Sequence, residues 1–259
     1  MAMLIPKQTM KNALYLECFS GISGDMTVAA LIDLGIDPAI LQKALHTLPL
    51  EGFSTRVSRV TKAGIDACDF EVVLDNPGDK ESLTDGSHGH RGLADVVDIL
   101  ERSGLSPKAK ALAIKIFSII AQAEAKAHGL PQEEVLFHEV GAVDSIVDIA
   151  AVSFCIDFLG VEDVIVPVLY EGTGTVLTQH GVLPVPVPAV LNIAEAYHLD
   201  LQVTSTHGEL VTPTGAAIVA ALRTGTELPA GFTVLRTGLG AGKRNYERPS
   251  LLKAVLINV

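Results

Sequence analysis

Apolar residues crowd the chain from Ala13 to Phe19, and the pattern then changes period: after Ser20-Gly-Ile-Ser-Gly-Asp25 it follows helical spacing from Met26 to Leu34 and stops at Gly35. This predicts a buried strand, a glycine-rich loop and a helix. Asp37 and Pro38 open a short helix to His46, and Ser54–Val60 and Ile65–Leu74 read as strands joined by Thr-Lys-Ala-Gly. Leu93–Ser103 and Pro107–His128 read as helices, the second capped by Ser106, striped by Leu112, Ile116, Ile119, Ile120 and Ala123, and stopped by Gly129. Asp144 is placed as N-cap of a helix through Ile146, Ile149, Val152 and Phe158, and Val164–Leu169 reads as a strand. Pro184, Pro186 and Pro188 alternate with valines after His180, which predicts polyproline-like or edge-strand geometry before a helix from Ala189 to His198. A strand Leu201–Thr204, a helix Ala216–Leu222 and strands Phe232–Gly238 and Leu251–Ile257 complete the pattern. Helix feeding strand predicts an α/β fold: a mixed sheet with flanking helices and a helical insertion over 93–128. Residues 1–12 read as an N-terminal extension with Met10 as an alternative start, 13–259 as the folded domain, and the polar stretch 75–92 as a flexible loop.

Composition narrows the function more than the fold. With 48% hydrophobic residues in 259, the chain can bury a full core. A net charge of -11 argues against a nucleic-acid surface and favours a cation or a cation-bound substrate. Cys18, Cys68 and Cys155 lie in apolar segments without CxxC spacing, as reduced, buried thiols do. The stretch MAMLIPKQTMKN has no apolar core of the length a signal peptide needs, and no run reaches about 18 apolar residues. The expectation is a cytoplasmic protein without membrane or nucleic-acid partners, for which a homo-oligomer stays open.

Candidate chemistry concentrates in loops. Phe137–Asp148, FHEVGAVDSIVD, puts His138, Glu139, Asp144 and Asp148 within twelve residues. A carboxylate such as Asp148 in an apolar first turn calls for a donor, a positive helix end or a metal; a plain ion pair with a buried Arg or Lys explains it equally well. Ser20, Gly21, Ser23, Gly24 and Asp25 can present backbone N–H groups to a phosphate, or form only a tight, capped turn. Thr206-His-Gly-Glu-Leu-Val-Thr-Pro-Thr-Gly215 offers Thr212, Thr214 and Gly215 as an anion cradle, or simply a helix start. Lys243 and Arg244 could meet a phosphate or solvent, and His88 and His90 a transition metal or solvent. If the loops gather at the carboxyl ends of strands, hydroxyl and backbone donors meet His138, His180, His207, Glu139, Asp144, Asp148 and Glu209 in one site for a metal and a phosphorylated molecule.

LYLECFSGISGDM, FHEVGAVDSIVDI, HGVLPVPVPA, GELVTPTGAA and GLGAGKRNYERPSLLKA, in this order from Leu14 to Ala254, resemble the LarC nickel-insertion proteins of nickel-pincer cofactor synthesis. The resemblance implies CTP-dependent insertion of nickel into pyridinium-3,5-bisthiocarboxylic acid mononucleotide, a lyase-class metallation that forms two sulfur bonds and one carbon bond to the metal. The motif positions carry over residue by residue, and to them, with His207 added, we assign roles by side-chain chemistry: Asp25, Glu139 and Asp148 in proton transfer; Ser20, Gly21, Ser23, Gly24, Thr212, Thr214 and Gly215 in substrate binding; and His138, Asp144, His180, His207 and Glu209 toward nickel. Family members often carry a His-rich stretch where this chain has His88 and His90, and commonly continue into a C-terminal module that resembles the part binding CTP with a divalent metal. The chain is therefore expected to be an N-terminal portion that works with such a module. The competing readings are a nickel-binding chaperone or scaffold without catalysis by itself and, third, a metal-dependent phosphohydrolase.

Overall fold

The apolar run after Asn12 forms β1 (Asn12–Glu17), which lies between β12 (Leu251–Asn258), antiparallel, and β6 (Asp163–Ile165), parallel. The computed structural model describes residues 12–75, 91–137 and 142–259. The expected extension up to residue 11, His88 and His90 with the rest of loop 76–90, and His138 and Glu139 lie outside the described residues.

Six strands make the main sheet, in the order β2 (Phe53–Lys62), β3 (Ile65–Leu74), β11 (Thr233–Ala241), β12, β1, β6. The sheet is mixed, since β11 runs parallel to β3 and antiparallel to β12. The β2–β3 turn places Ala63 and Gly64 at φ 51° and 81°, the left-handed pair that suits a tight hairpin. Helix α1 (Gly24–Asp33) lies on the sheet across β11, and two glycines allow it. A Cβ on Gly238 would stand 2.2 Å from the Ala30 carbonyl oxygen, and one on Gly240 2.0 Å from that of Met26. The Gly-Leu-Gly-Ala stretch is thus a strand that a helix backbone touches, and β11 extends beyond the expected end at Gly238.

After α2 (Pro38–Leu45), with Asp37 accepting the Ala39 N–H, the helical layer is built by α3 (Leu93–Arg102), α4 (Pro107–His128), α5 (Val143–Leu159), α6 (Pro188–Tyr197) and α7 (Pro213–Leu222). Helix α4 packs against α5, α6 and α7, with Ile116, Phe117 and Ile120 wholly buried. The Ser106 cap and the left-handed Gly129 stop stand where sequence places them. Three short pairs complete the strands: β4 (Arg91–Gly92) with β5 (Leu136–Phe137), the hairpin β8 (Thr175–Thr178) with β9 (Gly181–Pro184), and parallel β7 (Leu169–Thr173) with β10 (Leu201–His207).

Three expectations are corrected. Helix α5 starts from Ala142 as N-cap, so Asp144 is not the cap; its Oδ1 accepts the Ser145 N–H at 2.9 Å within the first turn. Val143 packs against the core, which draws the helix start ahead of the better capping side chain. Phe158 is 53% exposed and stacks on Phe154 instead of joining the buried stripe. The expected strand Val164–Leu169 is two, β6 and β7, because Pro167 between them has no N–H for a ladder. Among the described residues no helix is long and apolar enough to cross a membrane.

Candidate functional site

Two loops far apart in sequence are joined backbone to backbone. The Ile22 N–H donates to the Leu210 carbonyl at 3.0 Å, and the Thr212 N–H donates to the Ile22 carbonyl at 3.1 Å. Two glycines make the approach sterically feasible: a Cβ at Gly21, whose φ is +83°, would lie 2.0 Å from the Leu210 oxygen, and one at Gly215 2.1 Å from the Ile22 oxygen. Thr212 caps α7 by accepting the Gly215 N–H at 3.1 Å.

Glu171 on β7, which sequence reasoning missed, pins the same loop. Its Oε1 accepts the N–H groups of Gly172 and Leu210 at 2.7 Å and of Val211 at 3.1 Å. The side chain is buried, and its Oε2 has no hydrogen-bond partner among the described residues. Burial pushes this carboxyl above the usual range, against the three backbone donors and the charge of Arg244. The available signal was an acid inside the strand that follows the apolar run Val164–Leu169, a placement that requires donors.

The joined loops wall a polar cavity of about 190 Å³ lined by Ser20, Ser23, Asp25, Glu209, Thr212, Lys243, Arg244 and Tyr246. Ser23 is the N-cap of α1 in extended conformation, and its hydroxyl donates to Asp25 Oδ1 rather than capping the helix. Burial pushes the Asp25 carboxyl up, opposed by the Ser23 and Met26 hydrogen bonds and the Lys243 charge. Lys243 Nζ is 2.5 Å from Asp69 Oδ1, and Arg244 Nη1 is 3.5 Å from Glu209 Oε2. The Tyr246 hydroxyl donates to the Glu209 carbonyl at 2.8 Å. Behind the cavity Gly24 leaves room for Asp148, whose Oδ2 lies 2.7 Å from where a Cβ would stand. The Asp148 carboxylate thereby rests against the positive end of α1. Thr214 is buried in the first turn of α7 and, unlike Thr212, does not line the cavity.

Glu209 also lines a second cavity of about 320 Å³, formed with Glu124, His128, Phe137, Thr178, His180, Leu183 and Val187. The His128 and His180 ring centroids are 4.8 Å apart, and His128 Nε2 is 3.5 Å from Glu124 Oε2. Of the residues that sequence directs toward nickel, His180 and Glu209 meet here; His207, beside Gly174, and Asp144 line neither cavity. Glu124 and His128 were missed, because a helix C-terminus explains a histidine without any ligand. Among the described residues, no group of three or more His, Cys, Asp or Glu side chains stands ready to hold a metal ion.

A family described as "Nickel insertion protein" matches residues 14–258. A protein of Alkaliphilus metalliredigens (strain QYMF), named pyridinium-3,5-bisthiocarboxylic acid mononucleotide nickel insertion protein, is 51% identical over 256 residues, 96% of this chain and 61% of its own length. One of the same name from Acetivibrio thermocellus is 40% identical, covering 95% of this chain and 60% of its own length. A putative nickel insertion protein of Geobacter sp. (strain M21) is 45% identical, covering 93% and 60%. The chain thus spans about three fifths of the length of these curated relatives, and no solved structure matches it. The chain belongs to the nickel insertion protein family.

Proposed function

We infer that this chain serves nickel insertion into pyridinium-3,5-bisthiocarboxylic acid mononucleotide, the molecule in the names of its Alkaliphilus and Acetivibrio relatives, and that it does so in the cytoplasm. The observation that carries this reading is the joining of loops 20–25 and 209–215 into one polar cavity. Hydroxyls of Ser20, Ser23 and Thr212, the start of α1 and the cations Lys243 and Arg244 suit the phosphate end of a mononucleotide.

Nickel is a substrate here, as is the ring that receives it. Forming the carbon–nickel bond breaks a ring C–H bond: the electron pair passes to the metal and the proton to a base. Asp25, its carboxyl pushed up by burial and facing the cavity, is the acid assigned to accept that proton. Asp148 and Glu139 are the further acids assigned to this step. His180 and Glu209, which share the second cavity, are assigned to nickel before the softer thiocarboxylate sulfurs take it, with His138 as the further ligand; Asp144 and His207, which line neither cavity, are assigned only to its approach.

CTP with its divalent metal is assigned to a C-terminal module. Lys243 and Arg244 already pair with Asp69 and Glu209, and a triphosphate in this cavity would also meet Asp25. Mixing the chain with synthetic mononucleotide, nickel and CTP, with and without the C-terminal part of a relative, tests the reading by product mass. Product is expected with the module and not without it. Robust turnover by the chain alone overturns the division of labour, and absence of mononucleotide binding overturns the substrate. Nickel binding without turnover in any mixture selects the chaperone alternative, which the His128–His180 contact favours.

A further inference from the structure

Glu209 is a wall between opposite chemistries. On its polar side it faces Arg244 at 3.5 Å, with Lys243 nearby. Across it, the second cavity carries Glu124, two imidazoles and hydrocarbon, and no Lys or Arg among its lining residues to hold a phosphate. A planar aromatic ring with a positive nitrogen and anionic substituents has a partner in that lining for each part. The volume of about 320 Å³ falls in the range of small-ligand sites, roughly 300–1,000 Å³. The Glu124 and Glu209 side chains are only 21% and 10% exposed, so their charges act with less solvent screening than surface carboxylates. Phe137, buried and tilted against Phe117 at 5.9 Å, offers an aromatic surface to a cationic ring.

We propose that this second cavity seats the pyridinium ring of the substrate, with Glu124 and Glu209 beside its positive ring nitrogen and His128 and His180 at its two anionic thiocarboxylate groups, while the phosphate stays in the polar cavity. The assignment rests on the mononucleotide reading above and divides the molecule at Glu209, the residue common to both walls. It gives His128 and Glu124 a binding role.

Three probes separate the halves: N-methylpyridinium-3-carboxylate for the ring, ribose 5-phosphate for the phosphate end, and nicotinic acid mononucleotide for both. Ala127 lines the cavity from an exposed position on α4, so Ala127→Trp fills the space without entering the core. The ring probe is expected to shift the imidazole resonances of His128 and His180 in the unaltered chain and not in Ala127→Trp. Calorimetry should show mononucleotide affinity falling at least tenfold in Ala127→Trp, with ribose 5-phosphate unaffected. If Ala127→Trp alters the circular dichroism spectrum, Glu124→Gln replaces it and should weaken the ring probe severalfold. Unmoved imidazoles in the unaltered chain, or unchanged mononucleotide affinity in a folded variant, overturn the proposal while leaving the substrate reading intact. Binding of the ring probe at the histidines without binding of either phosphorylated probe upholds the aromatic-cation cavity and sinks the mononucleotide.

Discussion

The two cavities that meet at Glu209 are built by different means. The polar one is a backbone construction: Ile22, Leu210 and Thr212 exchange main-chain hydrogen bonds, and Gly21 and Gly215 stand where no side chain fits. The other is lined mainly by side chains on α4, the β8–β9 hairpin and the start of α6, and meets the joined loop at Glu209 and Pro213. Backbone contacts restrict residue type severely and leave a trace in sequence, whereas a cavity between side chains can be lined by ordinary residues.

That contrast is broken most severely at Gly215. Gly215→Val forces a Cβ against the Ile22 carbonyl and should cost roughly 4 kcal/mol, read by thermal unfolding, and abolish ribose 5-phosphate binding. A variant that melts like the unaltered chain would mean that the loops are not locked together. Glu171→Leu should come next, at roughly 3 kcal/mol, because it strips acceptors from three buried N–H groups.

Glu171→Gln sharpens the same point through pH. Burial raises the folded pKa of this carboxyl, so the folded chain holds its proton in a window where the unfolded chain has released it. The stabilising contribution is complete below the unfolded pKa and is lost as pH rises through the folded one. Glutamine keeps the accepting oxygen without the ionisation, so denaturation curves of Glu171→Gln and the unaltered chain should agree in acid and diverge upward of it, the variant being the more stable. Identical pH slopes would show that Glu171 is ionised at no cost. The smallest effect is expected at Asp144→Ala, about 0.5 kcal/mol, since Asp144 serves the first turn of α5 without capping it.

What was legible follows the same division. The α/β class, the α4 boundaries and the β2–β3 hairpin could be read because caps, stops and turn residues act locally. Ser20–Asp25 and Thr212–Gly215 could be read because tight loops demand small and hydroxyl residues, yet their pairing could not, being a contact between distant segments. The strand ending at Gly238 was read short, since the glycines that let α1 touch β11 at Gly238 and Gly240 look locally like a strand end. Asp144 misled because its capping chemistry was outweighed by the packing of Val143. Glu124 and His128 meet each other one turn apart on α4, an ordinary helix pairing, and His180 reaches them only through the fold, as the Leu210 N–H reaches Glu171.

The central claim, that the joined loops hold the phosphate end of a mononucleotide, is tested most directly by a crystal structure of the chain with nicotinic acid mononucleotide. The account predicts phosphate density within hydrogen-bonding distance of Ser23, Thr212 and Lys243, with the ring across Glu209 toward His128 and His180. Phosphate density beside Glu124 and His128, with the polar cavity holding only solvent, would contradict it.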